Sequence, residues 1–419
     1  MNPPTPLRVL LAAIGTRGDL QPMLALGQTL QRRGHRVRVA APPNFAGWVA
    51  SWGFDFSPVG VDMHRFLLDH PALLTGNTRK AAPVQSDFFA NQIPQQMQDL
   101  MAACADADAL VWAGLAVVAP SVAERLNIPA LGVLYTPCVI PSAAHPPPTV
   151  SKQNLPRWVN RILWNVHDIF AARALGRPLN QARIRLGLSP VNLRDHLMNQ
   201  CEYVLAADEA VFPGSPEWDV RLQRTHSLFL EDPQALDAEL ESWLQAGDPP
   251  IFVGFGSMTG EGTQRIDRLL LSALEAGGHR VLVGSGWAGM GQKALPPHWR
   301  MLDSAPHDKL FPRMAVVVHH GGAGTTATAL RAGVPQVVVP LILDQYYHAH
   351  RLHLAGLAPP PVAMERISAR QLSEAVTAAL ALPEGPRLQA AQRLQTGDAA
   401  AQIALRLEGL QRPPNPAVS

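Results

Sequence analysis

The sequence predicts an α/β protein built from two doubly wound parallel-sheet domains that face each other across a cleft. Three observations predict it: short apolar runs alternate with helix-like patterns in both halves, the alternation halts and restarts once, and glycine turns follow several of the apolar runs. A length of 419 residues is enough for two domains with a sizeable core each. Hydrophobic content of 47%, charged content of 16% and a net charge of +2 exclude a disordered chain and offer no basic face to nucleic acid.

In the first half the strand candidates are residues 7–14, 36–41, 55–59, 109–112 and 130–134, with helices near 20–33, 88–105 and 116–126. Residues 7–14 carry Arg8 and lead into a charged turn, so they read as a first strand and not as a signal peptide. The uncharged run 109–123 is too short to cross a bilayer and is broken by Gly114 and Pro120. Proline-rich residues 137–156 predict a loop, residues 158–186 a long amphipathic helix, and residues 203–206 and 227–230 two further strands. The acidic, proline-flanked stretch 231–250 marks the domain junction. The expected division is a first domain over 1–230, a linker over 231–250 and a second domain over 251–385. A final helix over 386–411 is expected to cross back onto the first domain. In the second half, strands are expected at 251–255, 281–283, 315–318 and 336–339, with helices at 265–276 and 325–331. Cys104, Cys138 and Cys201 are odd in number and far apart, which argues against a disulfide framework and fits a reducing cytoplasm.

His319-His320-Gly321-Gly322-Ala323-Gly324-Thr325-Thr326 joins an apolar run to a helix-like stretch. Glycines there let backbone N–H groups approach a ligand, the helix start supplies partial positive charge, and the His320 imidazole can donate a charge-assisted hydrogen bond to a diphosphate. The segment therefore predicts an anion site for a nucleotide-linked molecule. Gly284-Ser285-Gly286-Trp287-Ala288-Gly289 also matches the dinucleotide pattern GxGxxG, with Asp303 downstream, but residues 290–297 hold glycine and two prolines where a helix would have to begin. The turns Gly254-Phe255-Gly256-Ser257-Met258 and Gly15-Thr16-Arg17-Gly18-Asp19 can each reach a phosphate, or use glycine for steric reasons alone. Asp19 reads either as the cap of the following helix or as a general base facing the cleft. The tripeptide Arg17-Gly18-Asp19 matches adhesion ligands but sits in the first turn of a sheet domain. His348, His350 and His353 are spaced by two and three, an offset that does not bring three ligands to one metal on a helix.

Across nearly the whole chain, five stretches carry a family resemblance: Gly15-Thr16-Arg17-Gly18-Asp19-Leu20-Gln21-Pro22, Phe255-Gly256-Ser257, Pro306-His307-Asp308-Lys309-Leu310, residues 319–326, and Gly333-Val334-Pro335 through Asp344-Gln345. In order and spacing they resemble the nucleotide-sugar glycosyltransferases of the UDP-glycosyltransferase family, with two Rossmann-like domains in the GT-B architecture. The group holds sterol glucosyltransferases, glycopeptide-antibiotic glucosyltransferases and rhamnolipid-forming rhamnosyltransferases.

The resemblance implies that the second domain holds a UDP- or dTDP-sugar. Donor contacts are then expected from Thr16, Arg17, Gly256, Ser257, Ala305, His320, Gly322, Ala323, Gly324 and Thr325, with Asp344 and Gln345 on the sugar hydroxyls. Asp19 takes the place of the histidine base of plant relatives, whose base-stacking tryptophan and ribose-binding glutamate are here Ser304 and Thr328. The implied reaction is an inverting, metal-independent transfer of a hexose, glucose or rhamnose, to the hydroxyl of an apolar small molecule such as a lipid, sterol, polyketide or flavonoid, with Asp19 and His320 as the catalytic pair and no cofactor. Phe88, Phe89, Trp112 and Tyr135 are candidates for the acceptor wall, or ordinary core aromatics. Membrane association is expected to be peripheral at most. Two other readings of a donor site are a GT-B-type epimerase acting on the nucleotide sugar alone and a non-catalytic binder that activates another transferase.

Overall fold

Two all-parallel sheets organise the chain in the computed structural model, which describes residues 5–74, 78–218, 222–256, 272–275, 277–284 and 295–410. The first sheet comprises β1 (Arg8–Ile14), β2 (Arg36–Ala41), β3 (Asp55–Pro58), β4 (Ala109–Gly114), β5 (Ala130–Leu134), β6 (Glu202–Ala206) and β7 (Leu222–Thr225), in the order 3-2-1-4-5-6-7. The second comprises β8 (Ile251–Gly254), β9 (Val281–Gly284), β10 (Trp299–Leu302), β11 (Val316–His319) and β12 (Gln336–Val338), in the order 10-9-8-11-12. Central strands are apolar almost without interruption because helices cover both faces of each sheet. In both sheets the chain reverses its direction of growth at the first strand, beside β4 in one and β11 in the other. Doubly wound folds bind ligands at such a switch point, outside the carboxyl ends of the strands.

Helix α1 (Arg17–Arg32) follows β1 and buries Leu20, Met23, Leu24 and Leu30 against the first sheet. On the opposite face lies α2 (Thr78–Ala103), which contributes Ile93, Met97 and Leu100. The expected 158–186 helix is present as α3 (Arg157–Ala171) and α4 (Arg177–Arg185), joined by a wider π turn over Ala172–Gly176. In the second domain α5 (Ala323–Ala332) follows β11 and α6 (Asp344–Leu354) follows β12. The chain then returns through α7 (Glu384–Thr396) and α8 (Ala399–Glu408).

Two expectations about elements need correction, and a further strand, β10, joins the second sheet. The final helix is two helices: Gly397 is extended (φ −89°, ψ 131°), and Asp398 caps α8 by accepting the Ala401 N–H at 2.9 Å. The last strand of the first sheet is β7 and not residues 227–230, whose Leu228 and Leu230 are buried in the first core without joining the ladder. Strand β7 is a half-exposed edge that is polar after Leu222, and β10, the edge Trp299–Leu302, is only four residues long and interrupted by Arg300, so apolar patterning did not mark them. Most of the expected 265–276 helix lies outside the described residues.

The two domains share an apolar seam behind the cleft, where Leu205, Val211 and Phe212 of the first pack with Tyr347, Leu352 and Leu394 of the second. Arg351 Nε donates to the Val211 carbonyl at 3.0 Å, and Arg393 reaches buried Asp208 at 3.3 Å. Helix α8 seats Ile403, Ala404 and Leu407 in the first-domain core, and its Glu408 accepts both Arg33 nitrogens at 2.7 Å and His35 Nε2 at 2.9 Å. Glu408→Ala should therefore cost about 2 kcal/mol, because it strips a two-toothed partner from Arg33 and leaves a buried ring nitrogen unpaired; denaturant unfolding of the variant checks the value.

Candidate functional site

The first wall of the cleft is made where β1 ends. Gly15 adopts φ +149°, and a Cβ there would lie 2.2 Å from Asp19 Oδ2, so glycine is what lets the carboxylate fold back over the strand end. Asp19 Oδ2 accepts the Thr16 N–H at 2.8 Å and sits 3.3 Å from the Thr16 hydroxyl. The cap reading of Asp19 is corrected in one respect: the helix starts at Arg17 with Thr16 as its N-cap, and Asp19 is the third helical residue, whose carboxylate reaches back to the Thr16 N–H in a capping box. It leaves Oδ1 turned towards Gly114, the last residue of β4, whose Cα sits opposite Ile14 in the ladder. The Tyr135 hydroxyl donates to the Asp19 carbonyl at 3.0 Å, pinning the same turn from β5's side. Burial raises the Asp19 carboxyl to about 6, the Thr16 N–H opposes that shift, and the nearby Asp344 carboxylate adds to it.

The second wall is the loop after β11. His319 is fully buried and holds the loop: Nδ1 accepts the Gly321 N–H at 3.1 Å, which leaves Nε2 to donate to Gln336 Oε1 at 2.9 Å. Gly321 has φ +95°, and a Cβ there would sit 2.7 Å from Val338, so the turn has room for no side chain. Gly322 caps α5 without a side chain, so the first N–H groups of this ten-residue helix, at Ala323, Gly324 and Thr325, face outwards uncapped. The His320 ring lies over Gly322 and against Gly256, whose φ is +59°, and its Nδ1 is buried with no hydrogen-bond partner among the described residues. Burial and the neighbouring His348 push its pKa down to about 4, so at neutral pH the ring is an uncharged donor. The expected charge-assisted bond to a diphosphate therefore requires that the anion raise the ring's affinity for a proton as it approaches. Ser257 and the GxGxxG stretch 285–289 lie outside the described residues.

His348 joins the two walls. The Gly321 carbonyl can only accept, so Nδ1 carries the proton and donates to it at 2.7 Å, while Nε2 accepts from the Thr136 hydroxyl of the first domain at 2.9 Å. One helical turn earlier on α6, Asp344 Oδ2 lies 3.7 Å from the same ring. Leu343, just before it, is a non-glycine residue at φ +52°, a strained conformation costing roughly 1–3 kcal/mol that turns Asp344 towards the cleft. The strain is held by Gln345, whose Oε1 accepts the Leu341 N–H at 2.9 Å and the Ile342 N–H at 3.0 Å. The Gln345 amide nitrogen is thus what remains for a ligand. Arg17 lies over the Trp48 ring at 4.7 Å, and the pKa of His307 in the second domain is lowered to about 4, chiefly by burial and further by the Arg17 charge. Ala305 is half-buried beside exposed Ser304.

The acceptor-wall candidates separate. Phe88 and Phe89 pack with Phe66 and Met63, and Ile342 of the second domain joins that cluster, so it borders the Asp344 turn. Trp112 is a correction: it is 4% exposed, edge-on to Tyr203 in the core of the first domain, because its place in β4 faces the α2 side of the sheet. Tyr135 is committed by its hydroxyl to the Asp19 turn. The three α6 histidines do not converge, and among the described residues there is no cluster able to hold a metal. His348 was singled out in sequence only as a poor metal ligand; nothing local signals its partners in Thr136 and Gly321.

Residues 9–139 match the glycosyltransferase family 28 N-terminal domain, and residues 269–404 match the erythromycin biosynthesis protein CIII-like C-terminal domain. Glycosyltransferase GtfE of Amycolatopsis orientalis is 33% identical over 98% of this chain and 100% of its own length. A sterol 3-beta-glucosyltransferase of Arabidopsis thaliana is 30% identical over 88% of this chain, which spans 60% of that protein. Among solved structures, the glycotransferase of kitacinnamycin superposes with a TM-score of 0.73 at 19% identity, covering 97% of this chain and 99% of that one. The glycosyltransferase VinC in complex with dTDP gives 0.70 at 20%, covering 96% and 99%.

Two outcomes follow from the Asp19 turn. Gly15→Ala should expel the carboxylate from its seat, removing the function that depends on it while the far-ultraviolet spectrum stays native. Since the native Asp19 holds its proton to about 6 and an unfolded aspartate only to 3.8, its contribution to stability is complete below pH 4 and is lost as pH rises through 6. Asp19→Asn should accordingly be more stable than wild type at pH 8, by up to about 3 kcal/mol, and no different near pH 4. Paired melting curves at the two pH values give the comparison.

Proposed function

This chain belongs to the two-domain, GT-B glycosyltransferases of the UDP-glycosyltransferase family, and from that premise we propose that it moves a hexose from a UDP- or dTDP-sugar to a hydroxyl of an apolar small molecule with inversion, Asp19 acting as the base. The observation that carries the reading is the convergence on one cleft of a carboxylate raised to about 6, an uncapped helix start and a histidine with an unpartnered ring nitrogen. The names of the relatives support the substrate classes: a sterol glucosyltransferase and a vancomycin aglycone glucosyltransferase on the acceptor side, and a dTDP complex on the donor side.

In this reaction the acceptor O–H proton passes to Asp19 as the oxygen forms its bond to the anomeric carbon. The bond from that carbon to the phosphate oxygen breaks on the opposite face, and the nucleoside diphosphate departs with the electron pair. About nine-tenths of a carboxyl of pKa near 6 is ionised at pH 7, so Asp19 is both available and more basic than an ordinary aspartate. The leaving diphosphate is met by the N–H groups at 323–325 and by His320, which are in place before the reaction. His320 is uncharged when the site is empty, and an approaching diphosphate raises its affinity for a proton; donor binding then takes up a proton and tightens as pH falls towards 6. Asp344 and the Gln345 amide nitrogen are assigned to the sugar hydroxyls. Phe88 and Phe89, beside the Asp344 turn, are assigned to the acceptor, and the Trp112 assignment is dropped.

Incubation with UDP-glucose, dTDP-glucose and dTDP-rhamnose against a panel of sterols, polyketides, flavonoids and hydroxylated lipids, read by product mass, tests the reading. At least one pair should give a product heavier by a hexose; donor consumed without any conjugate would overturn it. The acid limb of kcat/KM should fall with an apparent pKa near 6, and Asp19→Asn should abolish transfer while still binding donor. Turnover at the wild-type rate in that variant returns Asp19 to a cap alone. His320→Ala should lose donor affinity and roughly 10²–10³ in kcat, as removal of a donor to a developing anion does elsewhere.

A further inference from the structure

The amphipathic pattern of α3 is inverted. Its inward face is pinned by polar groups, with buried Asn160 donating to the Ala143 carbonyl at 2.9 Å and Trp164 Nε1 to the His145 carbonyl at 3.0 Å. Its outward face carries Trp158, Ile162, Val166, Ile169 and Phe170, all between 43% and 65% exposed. Offsets of four, four, three and one place these five side chains in a single stripe along a helix of 3.6-residue period. Soluble helices do not expose such a stripe without a use for it. No helix among the described residues is long and apolar enough to cross a bilayer, and α3 has only 15 residues.

Charge selects the occupant. Between positions 145 and 200 six exposed arginines and Lys152 stand against Asp168, Asp195 and the neighbouring Glu217, a surplus of four in a chain whose whole net charge is +2; Arg183 is buried and paired with Glu124. Arg157 and Arg161 border the stripe near its start and lean on Glu217; Arg173 and Arg177 stand exposed just beyond its end. Two copies of this face brought together by a twofold axis would oppose one basic surface with another. An anionic bilayer satisfies both features, since the apolar stripe enters the acyl boundary while the arginine stems lie along it and the guanidinium groups reach the headgroups.

We propose that α3 is an interfacial helix by which this enzyme docks, in the plane of the surface, on membranes rich in anionic lipid. The first domain is thereby held at the boundary where an apolar molecule would be met.

Co-sedimentation of the full chain with phosphatidylcholine–phosphatidylglycerol vesicles, against phosphatidylcholine alone, tests this. The protein should partition to the anionic vesicles at low salt and be released by high salt. Ile162→Glu with Phe170→Glu, both at exposed positions, should keep the wild-type melting midpoint and lower the partition coefficient by at least about tenfold. Arg173→Glu with Arg177→Glu should lower it on the order of tenfold as well, and flatten its salt dependence. Indifference of the wild type to anionic lipid overturns the proposal, and so does undiminished vesicle binding by the Ile162→Glu, Phe170→Glu protein. A wild-type dimer that this variant dissociates, with no vesicle binding by either, would make a second copy the occupant instead.

Discussion

One imidazole sets the relation between the two halves of the cleft. His348 receives the Thr136 hydroxyl with one ring nitrogen and gives a proton to the Gly321 carbonyl with the other, so the loop after β5 and the loop after β11 are held a ring's width apart. Because the ring is buried, either bond left unmade would cost the full desolvation of its partner. A shift of one domain against the other must therefore break the Thr136 bond, while the bond to Gly321, within the second domain, keeps the ring aimed at the first. The apolar seam of Val211, Phe212, Tyr347 and Leu352 resists the same displacement from behind.

That tie has meaning only because both sheets wind the same way. With strand order 3-2-1-4 in the first sheet and its counterpart in the second, the ends of β1 and β4 and the ends of β8 and β11 are the two places where a loop is not covered by its own following helix. Ile14 pairs with Gly114 and His319 with Gly254, so Asp19 rises above one switch point and His320 above the other. The carboxylate and the helix start are each products of local chain geometry. Their confrontation is a product of topology.

Much of this was legible in the sequence for that reason. Continuous apolar strands buried on both faces announce themselves, and so do the glycines that permit Gly15 and Gly321 their positive φ. What stayed hidden was whatever depends on distance along the chain. His348 and Thr136 are 212 residues apart, and no spacing within His348, His350 and His353 hints that only the first is buried between domains. Edge strand β7 is polar after Leu222 because solvent borders it, so the hydrophobic pattern slid to Leu228 and Leu230, which are buried for packing alone; β10 is apolar but only four residues long and interrupted by Arg300. The break at Gly397 lies inside an otherwise continuous helical pattern, and only the Asp398 cap reveals it. Trp112 looked like a wall of the cleft because it is large and near a strand end; the parity of β4 sends it to the other side.

The unfavourable features of the molecule gather where the two carboxylates meet. Leu343 is strained, Asp344 is raised by burial, and Asp19 is raised by burial and by Asp344 in addition. In an empty cleft like charges facing each other through low-dielectric surroundings weaken the fold, and each would be relieved by a neutral residue. Under the proposed function, a polyhydroxyl group seated between them would change the sign of the arrangement, because its hydroxyls would give Asp344 the hydrogen bonds that burial denies it. On the proposed assignment of Asp344 to the sugar hydroxyls, the charge that costs stability in the free protein would be returned as binding energy, while burial of the Asp19 carboxyl, the largest cause of its raised pKa, would keep it basic.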